Sequence, residues 1–167
     1  MVLEAWALIA PKNATLDVFG DGPKREVLEM QAKDLPSIQF HGPIEDPARA
    51  YEVFDIAIMP SLWEPYGLSC IEARATGRPV IVSDVDGLPE QMRNGGGMVI
   101  ANELPTWLHV FSADAQNLFL SVDAKKSKQT AIEDQKCALL AWTRILGPFL
   151  PEEMPSLTDT KSLPGLT

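Results

Sequence analysis

Two glutamates, Glu64 and Glu72, stand eight residues apart in the stretch Pro60-Ser61-Leu62-Trp63-Glu64-Pro65-Tyr66-Gly67-Leu68-Ser69-Cys70-Ile71-Glu72-Ala73. The second half of this stretch has a helical pattern from Leu68 to Thr76, ended by Gly77 at the left-handed position with Pro79 just beyond. The first turn of such a helix offers unpaired N–H groups and a partial positive charge, an anion site that needs no lysine. Gly67 would let the backbone come close to a diphosphate, because no side chain intervenes. Two carboxylates would repel that diphosphate, so they are expected at its neutral ends. Glu72, about one turn into the helix, is placed to accept hydrogen bonds from both hydroxyls of a ribose, and Glu64, on the preceding loop, from hydroxyls of a transferred sugar. Hydroxyls, diphosphate and hydroxyls, in that order, describe a nucleotide-sugar.

The elements that must position this segment lie on both sides of it. Val2 to Ile9 carries Leu3, Trp6, Ala7 and Ala10 at helical spacing, and Pro11 stops it. Thr15 to Phe19 reads as a strand leaving through Gly20-Asp21-Gly22-Pro23, a sharp exit into a helix from Lys24 to Lys33. Ser37 to His41 is the next strand, and Asp46-Pro47 opens a helix through Tyr51 and Val53. Asp55 to Met59 and Pro79 to Val82 are nearly continuous apolar runs, so both read as parallel strands covered on two faces. A helical turn or two over Gly87 to Arg93 and a strand over Met98 to Ile100 complete the alternation. It predicts an α/β fold with a Rossmann-like, doubly wound parallel sheet. C-terminal helices follow: Ser112 is expected to cap one through Val122, and Thr130 with Glu133 to form a capping box for another bearing Ile132, Leu139, Trp142 and Ile145. The domain is expected over 1–147, with 148–167 an irregular or disordered tail.

Composition narrows the ligands. A chain of 167 residues, 46% hydrophobic, is of single-domain length, and 14 Lys and Arg against 23 Asp and Glu give a net charge of -9. No basic stripe is present for nucleic acid or an anionic membrane, so a phosphorylated ligand has to be held by backbone N–H groups or a few local cations. Cys70 and Cys137 fit neither a disulfide framework nor zinc-ligand spacing, and no apolar run approaches the roughly 18 residues of a membrane span, which points to a cytoplasmic protein. No metal and no cofactor beyond the substrate itself is expected. Cys70 reads as core, His41 and His109 as structural histidines, and Arg74 and Arg78 as helix-end or solvent partners more than phosphate ligands.

The Glu64 to Ala73 segment resembles the Glu-x7-Glu motif of retaining GT-B glycosyltransferases of family 4, also called glycosyl transferases group 1. The likeness continues in order through Leu16 to Glu26 (LDVFGDGPKRE), Ile38 to Ile44 (IQFHGPI), Phe54 to Ser61 (FDIAIMPS), Gly77 to Asp84 (GRPVIVSD) and Gly87 to Glu90 (GLPE). It covers roughly residues 1 to 101 and matches the C-terminal, donor-binding domain of that family. The resemblance implies sugar transfer from a nucleotide-sugar with retention of configuration. It implies that Glu64 contacts the donor sugar or supports the reacting centre, and that main-chain N–H groups of Tyr66, Gly67 and Leu68 bind diphosphate and sugar. Glu72 would bind the ribose, and the base would rest beside Gly20 to Gly22 and His41 to Ile44.

The family's domain opens with a strand ending in a Gly-Arg or similar turn followed by a lysine, cations that neutralise the departing diphosphate. Nothing before Leu16 supplies this here. The chain is therefore expected to begin inside the following helix, without that strand, its cations or the acceptor-binding domain, which also carries the catalytic histidine. Without the charge stabilisation that usually dominates this chemistry, the chain alone should be a poor enzyme and should depend on that domain or another chain. A truncated non-catalytic remnant or a nucleotide-binding interaction module is the alternative, and a nucleotide-sugar epimerase on the same fold a third. By the resemblance, the absent strand would lie between Thr15 to Phe19 and Asp55 to Met59, in the order 3-2-1-4-5-6. Buried unpaired backbone groups cost roughly 1 to 3 kcal/mol each, so these two strands are expected to pair directly.

Overall fold

The computed structural model describes residues 1–112 and 124–146. Its elements run α1 (Val2–Ile9), β1 (Leu16–Val18), α2 (Arg25–Ala32), β2 (Ile38–Phe40), α3 (Pro47–Glu52), β3 (Ala57–Met59), α4 (Leu68–Ala75), β4 (Val80–Ser83), α5 (Leu88–Gln91), β5 (Gly97–Ile100), α6 (Leu104–Phe111) and α7 (Ala124–Leu146). Local chemistry sets several of the boundaries. Asp46 caps α3 by accepting the Arg49 N–H at 3.2 Å, with Pro47 in the first turn. Gly77, at φ 84°, follows the end of α4 as expected.

Every strand pair is parallel, with Leu16 opposite Ile38, Ala57 opposite Val80 and Val80 opposite Gly97. The apolar run of β4 is covered on both faces. Ile81 belongs to a core with Trp6, Trp107, Val110 and Phe111 of α1 and α6, whereas Val80 and Val82 belong to a second core with Cys70, Ala73 and Leu88 of α4 and α5. This is the doubly wound α/β arrangement that the alternation of elements predicts.

Direct pairing of β1 with β3 does not occur. The strands form two sheets, β1 with β2 and β3–β4–β5, and no ladder joins them among the described residues. The halves are bound instead through the helical layer, where α1 packs on α6 and the Trp6 ring meets Phe111 edge-on at 5.1 Å. Trp6, Val110 and Phe111 line the space between β1 and β3, and the two sheets share one apolar core beneath these helices, with Leu16 and Ile38 from one and Ile81 and Ile100 from the other.

The C-terminal expectations also need correction. Helix α6 occupies Leu104–Phe111, between the strand and the Ser112 helix that the sequence predicts, with Pro105 in its first turn and Trp107, Val110 and Phe111 buried. Ser112 ends it, its hydroxyl donating to the His109 carbonyl at 2.7 Å; the helix expected from there through Val122 lies outside the described residues, as does the tail 148–167. Helix α7 starts at Ala124, so Thr130 is no cap: inside the helix, its hydroxyl donates to the Lys126 carbonyl at 2.9 Å. The buried face of α7 holds Ser127 and Ala131, while Ile132 is exposed. The side chains of Trp142 and Ile145 lie outside the description.

Candidate functional site

The chain leaves β3 at Met59 and enters α4 at Leu68 through residues 60–67, at the carboxyl edge of the parallel sheet. Three side chains from later segments hold this loop. Asn102 donates to the carbonyls of Pro60 at 3.1 Å and Ser61 at 3.2 Å, and accepts from the Trp107 indole at 2.9 Å. Asp86 accepts the Glu64 N–H at 3.0 Å, and the Glu64 carbonyl accepts from Gly87 at 3.3 Å. The side-chain amide of Gln91 donates to the carbonyls of Tyr66 and Gly67. A Cβ on Gly87 would overlap the Pro65 carbonyl, so that glycine is required by close approach. Asn102, Asp86 and Gln91 were not singled out by the sequence pattern, because each acts through backbone atoms more than 20 residues away.

Within the loop, Glu64 Oε1 accepts the Gly67 N–H at 2.9 Å, so the glutamate itself places a negative charge at the start of α4. Gly67 is buried at φ 77°, and a Cβ there would stand 2.6 Å from Leu88 Cδ2. Packing of α5 and the left-handed backbone therefore account for this glycine without any ligand. Of the three N–H groups expected to meet a diphosphate, that of Gly67 is engaged by Glu64, while those of Tyr66 and Leu68 find no acceptor among the described residues. The side chains of Leu62, Trp63, Tyr66 and Leu68 are all exposed on this loop.

Glu72 is half-buried on α4 beside the Tyr51 hydroxyl, which hydrogen-bonds the Ser69 side chain. Burial pushes the Tyr51 hydroxyl up; the bond to Ser69 pulls it down, and Glu72 and Cys70 push it further up. Cys70 is core, as expected, and burial raises its thiol to about 12, opposed by Arg74 and reinforced by Glu64. It is a neutral thiol and no nucleophile at neutral pH. Arg74, expected at a helix end or in solvent, is fully buried: it donates to the Thr130 hydroxyl and to Asp134 on α7, both at 2.9 Å. Arg78 donates to the Tyr51 carbonyl at 2.9 Å.

On the other side, the exits of β1 and β2 are tied together. Gly20, at φ 113°, donates its N–H to the Gly42 carbonyl at 3.0 Å, and Arg25 donates to the carbonyls of both Gly20 and His41. His41 Nε2 lies 2.7 Å from Asp17 Oδ1, and its ring stacks on Phe19 at 4.5 Å. That partner follows from the β1–β2 register, which sequence spacing does not display. A single cavity of about 1470 Å³ is lined by Gly20, Ile44 and Glu72 together with Tyr51 and Ser69. Gly22, His41, Glu64, Tyr66, Gly67 and Leu68 stand outside its walls, so the structure divides the expected set into a Glu72 side facing the gap and a Glu64 side facing α5. Among the described residues no group of three or more His, Cys, Asp and Glu could hold a metal ion, and no helix is long and apolar enough to cross a membrane.

Residues 1–109, well over half of the chain, match the family described as glycosyl transferases group 1. The chain belongs to that family. D-inositol 3-phosphate glycosyltransferase of Mycobacterium marinum is 33% identical over 114 residues, which are 62% of this chain and 24% of that protein. The enzyme of the same name from Corynebacterium urealyticum is 30% identical over 125 residues, 68% of this chain and 28% of that protein. The group 1 chain thus spans about a quarter of these relatives. Its fold is that of GT-B glycosyltransferases: a glycosyltransferase from Rickettsia africae superposes with a TM-score of 0.71 at 21% identity, over 87% of this chain and 43% of the other. Anabaena HepE, solved in complex with UDP and glucose, superposes with a TM-score of 0.59 at 19% identity, over 81% of this chain and 43% of the other.

Proposed function

We propose that this chain is the donor-binding unit of a retaining glycosyltransferase, holding a nucleotide-sugar for transfer to an acceptor bound on another domain or chain. The observation that carries the reading is the meeting of Gly20, Ile44, Ser69 and Glu72 at one opening, next to the start of α4, in a chain of this family. Glu72 receives the ribose hydroxyls, the N–H groups of Tyr66 and Leu68 face the diphosphate, and the base lies toward Gly20, Gly22, His41 and Ile44. Glu64 uses one oxygen on Gly67 and keeps the second for a hydroxyl of the sugar near the reacting centre. No metal enters this scheme, and the setting is the cytoplasm. UDP is the first nucleotide to test, since it is the one bound to HepE.

Calorimetry with UDP and a panel of other nucleoside diphosphates tests the reading. Glu72→Gln keeps the size of the side chain but removes charge-assisted acceptance, and is expected to weaken binding by about 1.5 to 3 kcal/mol. Binding by none of the nucleotides, or an unchanged affinity in the variant, would remove the assignment. Added EDTA is expected to leave the affinity as it is. Donor hydrolysis by the chain alone is expected at background, because a donor cradle by itself orients only one of two reactants.

A further inference from the structure

The peptide unit between Tyr66 and Gly67 has no side-chain packing to fix it, since the Tyr66 side chain is exposed and Gly67 has none. Glycine accepts either sign of φ, so this unit can turn over unless its own polar groups are held. Among the described residues its carbonyl has one hydrogen-bond partner, the side-chain amide of Gln91, and its N–H has one, Glu64 Oε1 at 2.9 Å.

The same Gln91 Nε2 also donates to the Gly67 carbonyl at 3.2 Å. That second carbonyl is already held by α4, where the N–H groups of Cys70 and Ile71 reach it at 3.0 and 3.3 Å. A planar trans peptide points its N–H away from its carbonyl. Two carbonyls converging on one nitrogen therefore send the N–H groups of Gly67 and Leu68 together away from it, to the side on which the Glu64 carboxylate sits. Gln91 itself is buried, and its Oε1 has no hydrogen-bond partner among the described residues. An aliphatic side chain would fill the position without that unpartnered oxygen, so the two N–H protons of the amide are what the position uses.

We propose that Gln91 is a positioning residue of the donor site, locking the Tyr66–Gly67 peptide with its N–H outward and its carbonyl inward. The role rests on the donor reading given above, in which amides of this loop meet the diphosphate. Helix α4 fixes the Leu68 N–H by itself, and Gln91 brings the Gly67 N–H into line with it. With the peptide turned over, the Tyr66 carbonyl would stand where that N–H stands now. It would set an acceptor against the diphosphate and strip Glu64 of its partner. Gln91 lies on the far side of the peptide from the ligand and acts only through it.

Gln91→Met keeps the length of the side chain and removes the donor. Calorimetry with UDP should then show about fivefold weaker binding, the worth of one lost hydrogen bond. Uridine, which lacks the diphosphate, should titrate unchanged in NMR spectra. In the chain without nucleotide, the nuclear Overhauser effect between Tyr66 Hα and the Gly67 N–H reports the peptide directly, because that distance changes when the unit turns over. It should change in Gln91→Met and more fully in Gln91→Glu, which sets a carboxylate against the Tyr66 carbonyl; if Gln91→Met loses its circular dichroism, Gln91→Glu decides. Equal weakening of UDP and uridine, or an Overhauser effect unaltered in both variants, would overturn the proposal. If the unchanged chain binds no UDP, the donor reading falls and this role with it. UDP binding that is indifferent to Gln91→Met defeats the role alone.

Discussion

In the β3–β4–β5 sheet the central strand is inaccessible along its length, and α4 and α5 press Cys70, Ala73 and Leu88, all fully buried, against it. In the β1–β2 sheet each strand has one buried residue, Leu16 or Ile38, and α2 leaves Val27 57% and Met30 72% exposed. Both sheets have parallel ladders, so hydrogen bonding does not distinguish them. Coverage does. The half carrying Glu64 and Glu72 is closed by α5 and α7, whereas the half carrying Gly20 and His41 rests on α1 and, through it, on α6. The candidate site therefore joins a firmly held wall to one whose opening free energy is set by a few aromatic contacts.

The largest expected effect strikes the weaker half. Trp6→Ala removes an indole that meets Phe111 and donates to Ser37 at 3.0 Å, and should cost about 3 to 5 kcal/mol. Hydrogen exchange should then accelerate at Leu16 and Val18 and stay slow at Val80 and Val82; equal acceleration in both sheets would erase the contrast. In the stronger half, Asp134→Ala leaves the inaccessible Arg74 guanidinium without its carboxylate and should cost about 3 kcal/mol in denaturant titration. Arg74→Met should cost less, because Arg74 Nε and Nη1 have no hydrogen-bond partner among the described residues and the replacement needs none. The reverse order would show the arginine to be a net source of stability.

Gly67→Ala forces a Cβ onto a left-handed backbone and against Leu88, for about 1 to 3 kcal/mol. Adding Leu88→Ala should relieve the clash and leave the backbone term, readable as partial recovery relative to Leu88→Ala alone. The smallest effect is alkaline. The Cys70 thiol is held at about 12 against an ordinary 9.0, so between those values the folded chain keeps a proton that the unfolded chain has shed. Stability should be unaffected by this group below about pH 9 and fall by about 1 kcal/mol per pH unit above it. Tyr51, also raised, adds in the same direction above its ordinary 10.0. Denaturation midpoints from pH 8 to 11, compared with Cys70→Ala, should isolate the thiol's share.

Much of this contrast is legible in the sequence. The unbroken apolar run Val80 to Val82 announced a strand covered on both faces, and Gly77 with Pro79 marked the end of α4. The contact between Arg74 and Asp134 was not legible, because it spans 60 residues and depends on where α7 docks. Thr130 and Glu133 have capping-box spacing, but helical sequence continues before them, and a local motif cannot report that. The separation of β1 from β3 escaped an expectation built on backbone hydrogen bonds alone, because the two sheets are joined through a side-chain core under α1 and α6 that a strand-pairing argument does not count. The glutamate motif was visible as residue types, whereas its support by Asn102, Asp86 and Gln91 lies in the fold.

The bond from Gly67 to Glu64 imposes a rule of succession on the loop. A backbone amide has one proton to offer, and here a carboxylate of the same chain already holds it at 2.9 Å. Any oxyanion that claims Gly67 must evict Glu64, and an evicted Glu64 is then at liberty to turn toward whatever the oxyanion carries. A guest that takes the N–H groups of Tyr66 and Leu68 instead leaves Glu64 seated with one oxygen to spare, so which amide is claimed decides whether the acid is freed.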